Sequence, residues 1–99
     1  MVNSKQKGKR GELEFCKYLK DKGYEARRGQ QYKGTSDSPD IISDIDCLHF
    51  EVKRTEKLNV YKALEQAKQD CGDKIPVVVH RRNNKPWIAI VYADNMFEF

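Results

Sequence analysis

Two carboxylates and a lysine lie close together in the middle of the chain. Asp40 follows Pro39 at the start of a short apolar run, and Glu51 and Lys53 close the next apolar run as Glu-Val-Lys. In a strand over residues 47–53, side chains alternate between the two faces, so Glu51 and Lys53 share one face. Pairing of this strand with the strand that begins at Asp40 would place Asp40 beside Glu51.

These residue types suit hydrolysis of a phosphodiester with the help of Mg²⁺. Mg²⁺ prefers oxygen ligands and keeps several waters, so Asp40, Glu51 and a substrate phosphate would complete its site. The metal makes a bound water a better nucleophile and offsets charge on the phosphoryl oxygens. Lys53 would orient the water or stabilise that charge. The alternative is that Asp40 is a turn residue after proline and that Glu51 and Lys53 form a solvated strand face.

A third carboxylate lies in a predicted amphipathic helix over residues 4–22. Its apolar stripe contains Phe15, Cys16 and Leu19, and Glu12 lies on the same stripe. A carboxylate on a core-facing row is costly unless it is paired or binds a metal. Glu12 is therefore a candidate metal ligand. In the alternative, the helix begins near Glu12, and this residue is an N-terminal acid favoured by the helix dipole.

Two glycines, Gly8 and Gly11, precede Glu12 within the same predicted helix. Glycine destabilises a helix interior by about 0.5–1 kcal/mol relative to alanine, so two glycines near a candidate ligand require an explanation. We expect another backbone segment, or a phosphate of the substrate, to approach the helix closely at these positions.

Together these motifs resemble the active-site signature of the PD-(D/E)xK nuclease superfamily. The resemblance spans residues 7 to about 80 and is carried by residues 7–12, Pro39-Asp40, Glu51-Val52-Lys53 and Gln66. Within the superfamily, the chain is most similar to the archaeal-type Holliday-junction resolvases and to the stand-alone VRR-NUC nucleases of phages.

The resemblance implies a metal-dependent endodeoxyribonuclease that hydrolyses phosphodiester bonds in branched or structured DNA. Mg²⁺ would be the cofactor, and Mn²⁺ would be able to replace it. The implied catalytic residues are Glu12, Asp40, Glu51, Lys53 and Gln66, of which Gln66 supports the lysine. The implied metal ligands are Glu12, Asp40, Glu51 and the carbonyl of Val52. Two alternatives stay open, namely a nuclease of this fold acting on duplex, single-stranded or flap DNA, and a non-catalytic DNA-binding module.

The excess positive charge of the chain lies at its amino terminus. The chain has 19 basic and 15 acidic residues, which gives a net charge of +4. Four of the bases lie in residues 1–10 without any acid, and the remaining fifteen (19 − 4) balance the 15 acids. Such a segment can hold a phosphate backbone near the site, or it can be a solvated chain end. The candidate DNA-binding residues are Lys5, Lys7, Lys9, Arg10, Arg27, Arg28 and Arg54.

Hydrophobic periodicity predicts the element order αβββαββ. The predicted helices cover residues 4–22 and 60–71, and the predicted strands cover residues 24–28, 40–43, 47–53, 76–82 and 86–92. The last two strands lack strict alternation, which is typical of strands covered on both faces. We expect an α/β, restriction-endonuclease-like fold with a mixed central sheet flanked by helices. It would form a single nuclease domain over residues 1–99, with residues 1–10 as a basic extension of the first helix. The polar loop 29–38 is a candidate mobile substrate-binding flap.

Cys16 and Cys71 lie on apolar helical rows, and Cys47 has no Cys-x-x-Cys partner. This pattern favours buried thiols over disulfides or zinc ligands, in a reducing compartment. His49 shares the strand face of Glu51, where it is either structural or in contact with the metal or substrate. The sequence shows no signal peptide and no transmembrane run. We therefore expect a soluble protein in the cytoplasm of a prokaryotic or phage-infected host cell, with no membrane partner.

We also expect a homodimer. Symmetric cleavage of two strands of a four-way junction requires two active sites related by a twofold axis. Met96, Phe97 and Phe99 place three large apolar side chains at the carboxyl end, which would be an unusual exposure in a monomer. In the alternative, these residues fold back onto their own core.

Overall fold

The computed structural model describes residues 4–29 and 40–98, with side chains from residue 8 onward. The elements in chain order are helix α1 (Ser4–Asp21), strands β1 (Ala26–Arg28), β2 (Ile41–Ser43) and β3 (Leu48–Lys53), helix α2 (Val60–Asp70), strands β4 (Ile75–His80) and β5 (Ile88–Ile90), and a closing 3₁₀ helix (Ala93–Glu98). The predicted order αβββαββ is confirmed, although all five strands are shorter than expected. Four features of the sequence prediction lie outside the described residues, namely the candidate flap beyond Gly29, Pro39, Phe99 and the side chains of Lys5 and Lys7.

A glycine closes the turn that follows helix α1. Gly23 has φ +96, a conformation that side chains with a Cβ rarely adopt. Its N–H donates to the carbonyl of Lys20 at 3.0 Å, and the N–H of Tyr24 donates to the carbonyl of Leu19 at 3.0 Å. This pair of bonds is a Schellman motif, which satisfies the last carbonyls of the helix and turns the chain toward β1.

The strands form a mixed three-stranded sheet and a separate two-stranded ladder. In the larger sheet, the order is β3-β4-β5, with β3 parallel to β4 and β5 antiparallel to β4. Helix α2 connects the parallel pair, as parallel strands require a crossover connection. Strands β1 and β2 pair antiparallel with each other. The expected pairing of β2 with β3 was wrong for the described residues. The N–H of Val52, which a neighbouring strand would use, instead donates to the side chain of Asp40.

Helices cover both faces of β3 and β4, whereas β5 is exposed at Ile88 and Ala89, so the expectation of two covered faces was wrong for the last strand. Phe15 of α1 packs on the face formed by Phe50 and Val52, with 5.2 Å between the centroids of the Phe15 and Phe50 rings. On the opposite face, α2 buries three residues against Val78, namely Ala63, Leu64 and Ala67. This two-sided burial explains why the sequence of β4 does not alternate. It also leaves Glu51 and Lys53 on the side of the sheet that faces α2.

No helix in the described part of the chain is long and apolar enough to cross a membrane.

Candidate active site

The end of β3 and the middle of α2 hold a lysine between two acceptors. Nζ of Lys53 lies 3.5 Å from Oε1 of Glu51 and 3.2 Å from Oε1 of Gln66. Two-residue periodicity brings Glu51 to the same face as Lys53, and the crossover helix brings Gln66 over that face. The Glu51 side chain is only 8% exposed, whereas that of Lys53 is 27% exposed. The ammonium group therefore has a fixed position at the edge of a nearly buried carboxylate.

Asp40 lies against the backbone of the same strand. Its Oδ2 accepts a hydrogen bond from the N–H of Val52 at 3.0 Å, and the residue is 8% exposed. This contact places the Asp40 carboxylate next to the strand position after Glu51. The structure thus brings Asp40, Glu51 and Lys53 together, through a side-chain contact with the edge of β3 rather than through a pairing of strands.

Glu12 lies inside α1, well after the first residue of the helix at Ser4. The alternative in which the helix begins near Glu12 is therefore wrong. The Glu12 side chain is 13% exposed, and its Oε1 accepts a hydrogen bond from Nε of Arg28 at 2.8 Å. Its buried charge is thus paired with an arginine of β1, as the cost of burial requires.

The two glycines before Glu12 have different surroundings. A Cβ placed on Gly11 would stand 2.6 Å from Cβ of Arg54, a distance that real side chains do not tolerate. A close approach at Gly11 is therefore present, but it is made by the side chain of Arg54, the residue after β3, and not by a backbone segment or a phosphate. A Cβ placed on Gly8 would have no atom of the described residues within 4 Å, so none of the described backbone approaches there.

All three carboxyl groups bind their protons more tightly than free acids do. Burial, followed by the nearby charge of Asp40, raises the pKa of Glu51 to about 7, against the attraction of Lys53. Burial also raises the pKa of Asp40, although the Val52 N–H and Lys53 oppose this change. Burial raises the pKa of Glu12 in the same way, opposed first by its hydrogen bond from Arg28. The positive charge of the site does not balance its carboxylates, so an additional cation would stabilise their ionised forms.

The oxygen donors of Asp40 and Glu51 are chemically suited to a hard divalent cation. Mg²⁺ needs only one or two carboxylates when waters and a substrate phosphate supply the rest. Within residues 8–29 and 40–98, no group of three or more His, Cys, Asp or Glu side chains is arranged to hold a metal. Asp40 and Glu51 therefore remain the candidate pair of metal ligands, whereas Glu12 is paired with Arg28.

The candidate DNA-binding arginines have different surroundings. Arg27 is exposed, as are Lys9 and Arg10 on α1. Arg28 binds Glu12, as described above. Arg54 is bound inside the protein, because its side chain is only 17% exposed and its Nε donates to Glu14 at 3.2 Å.

Arg54 belongs to an ion-pair network that sequence patterns did not indicate. Besides Glu14, Arg54 donates to the Arg81 carbonyl at 3.3 Å and to Oδ1 of Asn83 at 3.1 Å. The guanidinium of Arg81 also binds Glu14. The network joins α1, the end of β3 and the segment after β4. In the sequence, Glu14 lies outside the apolar stripe of α1, but nothing there relates it to Arg54 or Arg81.

The remaining candidates occupy structural positions. All three cysteines are free thiols, and Cys16 and Cys71 are buried, as expected, but the expectation of burial was wrong for Cys47, which is exposed. His49 is 6% exposed, and its Nε2 has no hydrogen-bond partner among the described residues. Burial lowers the pKa of His49, which favours a neutral ring.

Comparisons with known proteins agree with this architecture. Residues 3–99 match the model of the family "Archaeal holliday junction resolvase (hjc)". The structure also resembles the 1.6 Å structure of Archaeoglobus fulgidus Hjc, a Holliday junction resolvase from an archaeal hyperthermophile. The TM-score is 0.58 and the sequence identity 22%, over 86% of this chain and 72% of that chain. At this identity, the likeness shows the fold. No curated protein matches the chain significantly.

Proposed function

Because the chain belongs to the archaeal Holliday junction resolvase family, we propose that this resolvase-like nuclease is a Mg²⁺-dependent endonuclease that cleaves branched DNA. The main support for this proposal is the group of contacts at the end of β3. Two buried carboxylates, Asp40 and Glu51, lie beside a lysine whose ammonium group is held by Gln66.

We assign the metal to Asp40 and Glu51, with the Val52 carbonyl as a further ligand. When bound, Mg²⁺ or Mn²⁺ would supply a more acidic water and offset charge on the reacting phosphate. Lys53 stabilises the negative charge that grows on that phosphate, because its ammonium group is already placed beside the carboxylates. Gln66 keeps Lys53 at that position by accepting its hydrogen bond. Glu12 acts less directly, since its carboxylate is already paired with Arg28.

The assignment of catalytic residues can be tested with three single substitutions. Asp40→Asn, Glu51→Gln and Lys53→Ala should each reduce junction cleavage by about a hundredfold or more, the usual effect of removing a group that acts on the transition state. DNA affinity should change little. Glu65→Gln is the matched control, because Glu65 is exposed on α2. Near wild-type cleavage by any of the three variants would remove that residue from the proposed site.

The substrate and cofactor can be tested with one panel of labelled DNAs. Four-way junction, flap, single-stranded and duplex DNA would be incubated with the protein in Mg²⁺, Mn²⁺ or EDTA. We expect metal-dependent cleavage with preference for the junction. Preference for flap or single-stranded DNA would instead favour an activity like that of the VRR-NUC nucleases. Binding to the junction without cleavage in any metal would favour a non-catalytic module.

We further propose that the protein works as a homodimer, one nuclease domain per chain, in the cytoplasm of a prokaryotic or phage-infected cell. Paired cleavage of a four-way junction needs two sites related by a twofold axis. Met96 is 58% exposed and Phe97 is 84% exposed, so neither folds back onto the core of its own chain. Exposed apolar side chains of this kind are common in subunit interfaces.

A further inference from the structure

A small cavity opens beside Lys53, between the end of β3 and the first turns of α2. Its volume is about 250 Å³. Lys53 and Gln66 form the wall that it shares with the candidate active site, and Lys57 and Lys62 line it as well. Among the described residues, no carboxylate lines this cavity, which we call the lysine pocket.

The walls of the lysine pocket are fixed by local hydrogen bonds. Thr55 Oγ1 donates to the Lys57 carbonyl at 2.7 Å, which closes the turn after β3. The carbonyl of Thr55 lies 2.8 Å from Nε2 of His80, which ties the same turn to β4. Oδ1 of Asn59 accepts from the Lys62 N–H at 3.1 Å and caps α2. The turn therefore needs little ordering when a ligand binds.

The charge of the lysine pocket favours an anion. Lys57 and Lys62 form no ion pair with an acid in the described part of the chain, in contrast to Lys53, which contacts Glu51. An anion in this cavity would be attracted by all three lysines that line it. The volume is below the roughly 300–1,000 Å³ of pockets that enclose a drug-sized ligand. It is better suited to a phosphate with part of its sugar.

We propose that the lysine pocket binds the phosphate next to the scissile phosphate on the cleaved DNA strand. The inference rests on the proposed nuclease function, because Lys53 borders both the carboxylates and the pocket. A phosphate bound by Lys57 and Lys62 would fix the position of the strand along its own axis relative to Asp40 and Glu51. Lys57 and Lys62 are thus positioning residues, which select the bond that is cut.

A nucleoside with two phosphates tests this arrangement without DNA cleavage. Deoxythymidine 3′,5′-bisphosphate carries two phosphates one nucleotide apart, and the 3′- and 5′-monophosphates carry one each. Isothermal titration in Mg²⁺ should show that the bisphosphate binds the wild-type protein about tenfold tighter than the better monophosphate. The double variant Lys57→Gln/Lys62→Gln should lose this advantage and bind the better monophosphate as wild type does.

The control separates local binding from general electrostatics. Lys20→Gln/Lys22→Gln removes the same charge from exposed positions near the end of α1 and should keep the tenfold advantage. Three results would overturn the proposal. These are no advantage in the wild type, an advantage that survives in Lys57→Gln/Lys62→Gln, and an equal loss in the control. Failure of the nuclease proposal would give a different result. The wild-type protein would still prefer the bisphosphate but would cleave none of the labelled DNAs.

Discussion

Replacing Glu51 by glutamine should stabilise the metal-free protein at alkaline pH while it abolishes cleavage. The reason is the raised pKa of Glu51, about 7 in the fold against 4.5 for an ordinary glutamate. Between these two pH values, the folded protein keeps a proton that the unfolded chain has released. The stability of the wild type therefore falls as pH rises through this window, and the full cost is present above about pH 7.

The size of the effect follows from the two pKa values. Each pH unit within this window lowers the free energy of unfolding by about 1.36 kcal/mol, so the whole window corresponds to about 3 kcal/mol. The attraction between Glu51 and Lys53 is already included in the pKa of about 7. Local relaxation reduces such costs, so we expect a gain of about 1–3 kcal/mol for Glu51→Gln at pH 8. At about 4–8 °C per kcal/mol for a domain of this size, the midpoint of thermal unfolding should rise by at least about 4 °C.

The assay is thermal unfolding of both proteins in EDTA, monitored by circular dichroism at pH 5 and pH 8. The difference between Glu51→Gln and wild type should be under about 1 kcal/mol at pH 5, where the wild-type Glu51 is protonated in the fold. Adding Mg²⁺ at pH 8 should stabilise the wild type more than the variant, because the metal binds the ionised carboxylate. Glu65→Gln, at an exposed position of α2, should match the wild type under every condition.

The reasoning would be refuted if Glu51→Gln unfolded at a lower temperature than wild type at pH 8 in EDTA. That result would mean that the ionised Glu51 stabilises the fold through Lys53 by more than its burial costs.

Three further predictions concern other parts of the molecule. Gly11→Ala should lower the free energy of unfolding by about 1–3 kcal/mol because its Cβ would collide with Arg54. Gly8→Ala should leave that free energy unchanged or raise it by up to about 1 kcal/mol; urea titration measures both. Alanine at the four amino-terminal bases should reduce the slope of log K against log salt for junction binding by about 0.9 per lost phosphate contact, whereas an unchanged slope would indicate a solvated end. These bases are Lys5, Lys7, Lys9 and Arg10. Phe97→Glu should convert a dimer into a monomer in light scattering, and a wild type that is monomeric with and without DNA would exclude a preformed dimer.

The sequence correctly predicted that Asp40, Glu51 and Lys53 lie close together. It predicted the wrong contact between Asp40 and β3. Two-residue periodicity fixes the face shared by Glu51 and Lys53 wherever β3 pairs, so this part was robust. The position of Asp40 depends on whether its backbone or its side chain binds the edge of β3. Both arrangements are compatible with the same short apolar run, and only the folded chain shows the bond from Val52 to Asp40.

Contacts between segments that are distant in the chain could not be predicted from the sequence. Gly8 and Gly11 look alike within the helix pattern, yet only Gly11 meets the end of β3. The binding of Glu14 by Arg54 and Arg81 joins three segments that no local periodicity relates. For this reason, Arg54 was expected at the DNA, whereas the fold binds it inside the protein.

Lys53 and Arg54 are consecutive residues whose side chains go to opposite layers of the fold. Lys53 reaches Gln66 on α2, and Arg54 packs on Gly11 and binds Glu14 on α1. The contacts of Arg54 thus restrain movement of the strand end relative to α1 from the face of the sheet opposite Glu51 and Lys53. Exchanging the two residues would conserve length, composition and net charge, yet it would lose both the placed ammonium group and the restraint. The contacts of this strand end therefore depend on the order of two cations, a property that neither net charge nor hydropathy measures.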